Sequence, residues 1–180
     1  MKIPLFLKVI IVVFTSSVVF YTACVNIDAA KDPESLLEAA SDKSREGNFD
    51  AAIKLCNQAI SLDDQNAYAY LELGNAYLQK GDIIKAIESF NQAISLDENN
   101  SSAYVGLGNA YLGKDELLIA KENYEKAISL DENNPFAYFG LGRIYSSPSV
   151  ECSAKEKDNI LKKLEQLDKS LANKLKEINP

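Results

Sequence analysis

The chain has 180 residues, 47% of them hydrophobic and 25% charged, an ordinary balance for one folded domain carrying an additional apolar stretch. It contains no histidine, which excludes Ser-His-Asp and Cys-His catalysis and every histidine-based zinc site. A formal charge of −7, with Lys and Arg scattered along the chain, argues against nucleic acid as a partner.

The apolar stretch comes first. Residues 1–24, MKIPLFLKVIIVVFTSSVVFYTAC, hold two lysines, no acid and an apolar run from Val9 to Tyr21, the pattern of a secretory signal. The stretch ends in Tyr21-Thr22-Ala23-Cys24, a small residue before a cysteine, and there it resembles a bacterial lipoprotein processing site. Three readings stay open: lipidation of Cys24, an uncleaved membrane anchor, and ordinary cleavage. The span from Val9 to Val25 lies near the lower limit of about 17 residues for a membrane helix. Lipidation or an anchor would hold the rest of the chain on a membrane, on its extracytoplasmic side, facing the periplasm or the cell surface. Residues 25–32 carry no periodic pattern and read as a tether.

Pro33 suits the first turn of a helix, and residues 33–66 are the first copy of a 34-residue unit. Its second half is strong, with Gly47, Phe49, Ala52, Cys56 and Ala59. Its first half is weak, as befits a terminal, capping copy. Residues 67–100 and 101–134 are the clearest copies: they agree at 19 of 34 positions, and self-similarity at a fixed period of this size means a repeat array. In residues 67–100, Leu73, Gly74, Ala76 and Tyr77 share one helical face. Gly81-Asp82 then supply a turn and a cap, and Ile83, Ala86, Ile87, Phe90, Ala93 and Ile94 form a second apolar stripe. Each copy is therefore predicted to be a helical hairpin, with Gly74, Ala86 and Ala93 at points of close helix approach. The 101–134 copy places Asp115 where Gly81 stands in the one before. A fourth copy, 135–166, opens with Pro135, Tyr138, Leu141-Gly142 and Tyr145, after which Pro148 breaks the period. Residues 167–180 keep helical spacing through Leu167, Leu171, Leu175 and Ile178 and are predicted to cap the last exposed hairpin.

The units resemble the tetratricopeptide repeat (TPR). The family's large residue, Leu-Gly, Tyr, Ala, aromatic and Ala are met by Tyr70, Leu73-Gly74, Tyr77, Ala86, Phe90 and Ala93, and again by Tyr104, Leu107-Gly108, Tyr111, Ala120, Tyr124 and Ala127. Glu98 and Glu132 stand where the family usually has a late Pro. The resemblance implies an all-α TPR solenoid of stacked helical hairpins: three full repeats, a degenerate fourth and a C-terminal capping helix. It also implies that the first helix of each hairpin lines a concave face that holds partner peptides. By position that lining is Tyr68, Leu71, Asn75 and Leu78 in the second repeat, Val105, Asn109 and Leu112 in the third, and Phe136, Phe139 and Arg143 in the fourth. The atypical first repeat offers Leu37, Ser41 and Arg45. Asn75 and Asn109 can each donate and accept, which suits an extended peptide backbone. A clamp for a terminal carboxylate needs concave cations, for which only Arg45 and Arg143 are available. Leu71, Val105 and Phe139 can alternatively pack between helices or against the C-terminal segment and fill the groove.

No residue set points to catalysis. The glycines recur singly at repeat positions, without a phosphate loop, and Asp97, Glu98, Asp131 and Glu132 end and solvate helices. Asn100 lies in a glycosylation sequon but is more simply a helix cap. Cys56 is expected to be a buried thiol, too distant from Cys152 to bridge it. The expected function is a non-enzymatic adaptor without cofactor, metal or small-molecule substrate. It would be anchored in a membrane through its N-terminus and present its groove to a peptide or helix of a protein partner, aiding assembly of an envelope complex. The alternative is a structural repeat protein that self-associates.

Overall fold

A computed structural model of the chain describes residues 32–148 and 150–178. The signal or anchor, Cys24 and most of the tether lie outside these residues. Among the described residues there are nine helices and no strand: α1 Pro33–Arg45, α2 Phe49–Leu62, α3 Ala67–Lys80, α4 Ile83–Leu96, α5 Ser101–Gly113, α6 Leu117–Leu130, α7 Pro135–Tyr145, α8 Ala154–Leu167 and α9 Lys169–Ile178.

Local chemistry sets most of the boundaries. Asp32, Asn48, Asn66, Asp82, Asn100, Asn134 and Ser153 each stand at an N-cap and accept a backbone N–H from the first turn that follows. Inside the first three hairpins the chain turns through a left-handed residue: Gly47 at φ 78°, Gly81 at φ 89° and Asp115 at φ 62°. Asp115 pays the Cβ penalty that the two glycines avoid. The N-cap of α6, the helix it leads into, is Glu116, whose side chain makes no capping bond and pairs with Lys114 instead. We therefore expect Asp115→Gly to raise stability by about 0.5–1 kcal/mol, read as a higher urea midpoint at an unchanged slope.

Consecutive helices pack against each other throughout. In addition α1 touches α3, α3 touches α5, α5 touches α7 and α7 touches α9, whereas no two of α2, α4, α6 and α8 meet among the described residues. The odd helices thus form a close inner row and the even helices a splayed outer row, so the stack curves with its concave side on the odd helices. The result is an all-α solenoid of four hairpins, with α9 in the inner-row place that the first helix of a fifth hairpin would take.

The core runs along the seam between the rows. Ala52, Ala59, Ala86, Ala93, Ala120 and Ala127 are fully buried on the outer helices, where their size lets the backbones approach. Between them sit Cys56, Phe90 and Tyr124, each at most 1% exposed. The fourth hairpin departs from this scheme. A 34-residue step from Leu117 would reach 151, but α8 begins at Ala154, and its counterpart of Ala120 is Lys157. A lysine cannot enter the seam, and a cavity of about 120 Å³ bordered by Lys157, Leu161 and Tyr145 remains there. Leu175 of α9 closes the rest: a Cβ on Gly142 would lie 2.4 Å from its Cδ2.

Candidate functional site

The inner row repeats its surface positions every 34 residues, so equivalent side chains form columns across α1, α3, α5 and α7. One column is Glu34, Tyr68, Ser102 and Phe136, the next Leu37, Leu71, Val105 and Phe139. A third is Glu38, Glu72, Gly106 and Gly140, and a fourth Ser41, Asn75, Asn109 and Arg143. Two depressions occupy this face. One, of about 460 Å³, is lined by Leu71, Asn75 and Gln79 of α3, Ser102, Val105, Gly106 and Asn109 of α5, and Asn134 and Phe136 at the start of α7. The other, of about 490 Å³, lies between α1 and α3 and includes Leu37, Glu38, Arg45 and Tyr68.

Of the residues expected on the concave face, Leu71, Asn75, Val105, Asn109 and Phe136 come together in the first depression, and Tyr68 stands in the second, half exposed. Leu71 and Val105 are 7% and 8% exposed, so they present only an edge to the groove. Four positions lie elsewhere. Leu78 packs into the cluster around Phe90 and Leu112 into the cluster around Tyr124. Both are half-buried, more exposed than Leu71 and Val105 of the same two clusters, and they lie two helical turns further along, outside the lining of either depression. Phe139 packs against the C-terminal cluster of Leu164, Ala172 and Leu175, with Lys174 Nζ 5.9 Å from its ring centre, because α9 covers that stretch of α7. Arg143 is exposed and lines neither depression.

Gln79, Ser102 and Asn134 belong to the groove without having been anticipated. Gln79 and Ser102 follow Asn75 and precede Val105 by one helical turn, a spacing that was legible. Asn134 was hidden because its letters read as a cap. It does cap α7, accepting from the Phe136 and Ala137 amides, but it also donates to Ser101 Oγ at 2.9 Å, and that hydroxyl donates to the Ala127 carbonyl at 3.1 Å. The chain of bonds ties α5 to the loop before α7 across a repeat boundary.

The two asparagines have different roles. Asn109 Oδ1 accepts from the Tyr124 hydroxyl at 2.7 Å, which leaves its amide N–H groups to donate. One repeat earlier, the position equivalent to Tyr124 is Phe90, which has no hydroxyl, and Asn75 donates Nδ2 to Glu72 Oε1 at 3.3 Å, leaving its own oxygen to accept. The groove floor thus alternates acceptor and donor, which matches an extended backbone. Burial raises the Tyr124 hydroxyl well above the usual tyrosine range and pushes the Cys56 thiol up to about 12, with Glu72 adding to the latter. Cys56 therefore stays a thiol, inert in the seam, and both it and Cys152 are free.

Sequence comparison agrees with this geometry. The TPR repeat model matches residues 45–81 and 74–115, and the tetratricopeptide repeat model matches residues 101–134, which together span half of the chain. The chain belongs to the tetratricopeptide-repeat family. No curated protein matches this TPR chain along its sequence. Among solved structures, it is similar to a thermophilic TPR protein of Thermus thermophilus, at 19% identity and TM-score 0.71, over 81% of this chain and 80% of that one. It is also similar to MamA, at 27% identity and TM-score 0.61, over 82% of this chain and 80% of that one. A third neighbour is the second TPR domain of human RPAP3 in complex with an HSP70 peptide, at 26% identity and TM-score 0.57, over 63% of this chain and 98% of that one.

Proposed function

We propose that this TPR protein is a non-enzymatic adaptor that holds an extended segment of a partner protein in its concave groove. The observation that carries the reading is the groove on α3, α5 and α7, where apolar edges from Leu71, Val105 and Phe136 flank the complementary amides of Asn75 and Asn109. Peptide binding by the human RPAP3 domain supports it. A folded protein that leaves Phe136 59% exposed beside a polar floor has the composition of an interaction site. Phe136→Ser removes the exposed ring without touching the seam. It should weaken capture of the partner in crosslinked pull-downs from native membranes by roughly tenfold, the equivalent of about 1.4 kcal/mol, with an unchanged melting temperature. Unchanged capture by the folded variant removes the groove from the function.

The same proposal includes attachment to the extracytoplasmic face of a membrane through residues 1–24, where the groove would serve assembly of an envelope complex. Its support is the sequence alone: the Val9–Tyr21 run and the Ala23-Cys24 junction. No described helix is long and apolar enough to cross a membrane, so attachment would rest on the N-terminal segment. Labelled fatty acid should enter the full-length protein and be lost in Cys24→Ala; labelling that persists in that variant defeats the lipoprotein reading.

A further inference from the structure

The groove is not uniform in charge. Its α5–α7 part is lined by neutral amides, hydroxyls and apolar groups, whereas its α1–α3 part carries Glu34, Glu38 and Asp42, and Glu72 lies half-buried within electrostatic reach of two of its lining residues, Tyr68 and Arg45. Arg45, the cation in that part, is held by Asp42 at 2.6 Å. Glu72 holds the decisive position. Its column reads Glu38, Glu72, Gly106 and Gly140, and the two glycines are explained by the aromatics behind them, because a Cβ on Gly106 would lie 2.4 Å from Phe90 and one on Gly140 2.3 Å from Tyr124. Behind Glu72 is Cys56, a much smaller residue, so a side chain fits there; packing alone asks for an apolar one.

Instead the position holds a half-buried carboxylate whose pKa burial raises, which accepts a 3.3 Å hydrogen bond from Asn75, and which forms no ion pair with a described residue. Arg45 acts on it only from beyond ion-pair distance. Leaving a carboxylate desolvated without a cation is costly, and a cation arriving with a ligand would recover that cost. The neighbouring Tyr68 ring, 52% exposed, offers a face on which an alkyl-ammonium or guanidinium can lie.

We infer that the groove selects a partner segment bearing a lysine or arginine, seated between α1 and α3 against Glu72 and Glu38, with its neutral and apolar residues running on across α5 toward Phe136. The inference rests on the groove being the binding site and adds its charge selectivity. It also sets which part of the segment lies at the first hairpin, namely the one that bears the cation.

The test uses the full-length protein in detergent and an immobilised positional library of capped ten-residue peptides, each set fixing Lys, Arg, Gln or Glu at one position. Wild type should retain the Lys and Arg sets over the Glu sets by roughly tenfold or more, and Glu38→Gln/Glu72→Gln should lose that preference while still retaining neutral, apolar-rich sets. Glutamine keeps the acceptor for Asn75 and relieves the buried charge, so the variant should fold. Phe136→Ser separates the two claims, because it should weaken all sets alike. Absence of a Lys and Arg preference in wild type, or its survival in the double glutamine variant, overturns the charge inference. If Phe136→Ser also leaves every retained set unchanged, the groove reading falls with it.

Discussion

Phe90→Ala should lower the stability of this protein by about 3–5 kcal/mol, near the top of the range for a point substitution. The ring is fully buried, and its position explains the magnitude. It lies against Gly74 of its own hairpin and Gly106 of the next: a Cβ on either glycine would fall 2.6 Å or 2.4 Å from it. Truncation therefore opens a cavity at the interface between two hairpins as well as inside one. Neither glycine can grow into the space, and Leu71, Ala93 and Leu107 around it are held by helices that pack elsewhere. In a solenoid, stability is the sum of hairpin and interface terms, so weakening this interface should also reduce cooperativity. Urea denaturation followed by circular dichroism should show a lower midpoint and a shallower slope, as the first two hairpins unfold apart from the rest. A midpoint equal to wild type would mean that Phe90 does not occupy the seam.

Gly140→Ala should cost about 1–3 kcal/mol, although the same change in an exposed helix gains about 1 kcal/mol in propensity. The sign is decided behind the helix. An added Cβ would meet Tyr124 Cε1 and Cζ at 2.3 Å, and the ring has no freedom to retreat, being fully buried and tied by its hydroxyl to Asn109. The boundary between the first and second hairpins shows the relation in reverse, with Cys56 in the aromatic place and Glu72 in the glycine place. Tyr124→Cys should therefore cost less in the Gly140→Ala background than in wild type, giving a coupling energy of about 0.5–3 kcal/mol in a double-mutant cycle. Strict additivity of the two changes would show that the contact is absent.

These two cases show where sequence reading succeeds. The period, the hairpins, the turn positions at 47, 81 and 115, the caps and the small residues of the seam all depend on interactions within about one turn or one repeat. A chain that says the same thing twice over 34 residues exposes them. The groove was only partly legible. Asn75, Asn109, Leu71, Val105 and Phe136 follow from position in the repeat. Leu78 and Leu112 do not: they lie two turns beyond Leu71 and Val105, half-buried beside the clusters around Phe90 and Tyr124, and Phe139 is covered by a helix from outside the repeat pattern.

By itself the sequence determined the family, the all-α architecture, the number of hairpins and the exclusion of histidine chemistry, since each depends on residue identity and short-range spacing. Tertiary structure decided what the columns of the inner row do. It joined Phe90 to Gly106 and Tyr124 to Gly140 across repeat boundaries, engaged the Asn109 oxygen with Tyr124, and placed α9 against Gly142. It left Glu72 half-buried above a small residue. Those relations arise between residues 15 to 33 positions apart, where the volume of one side chain sets what its neighbour can be, and no local pattern carries that information.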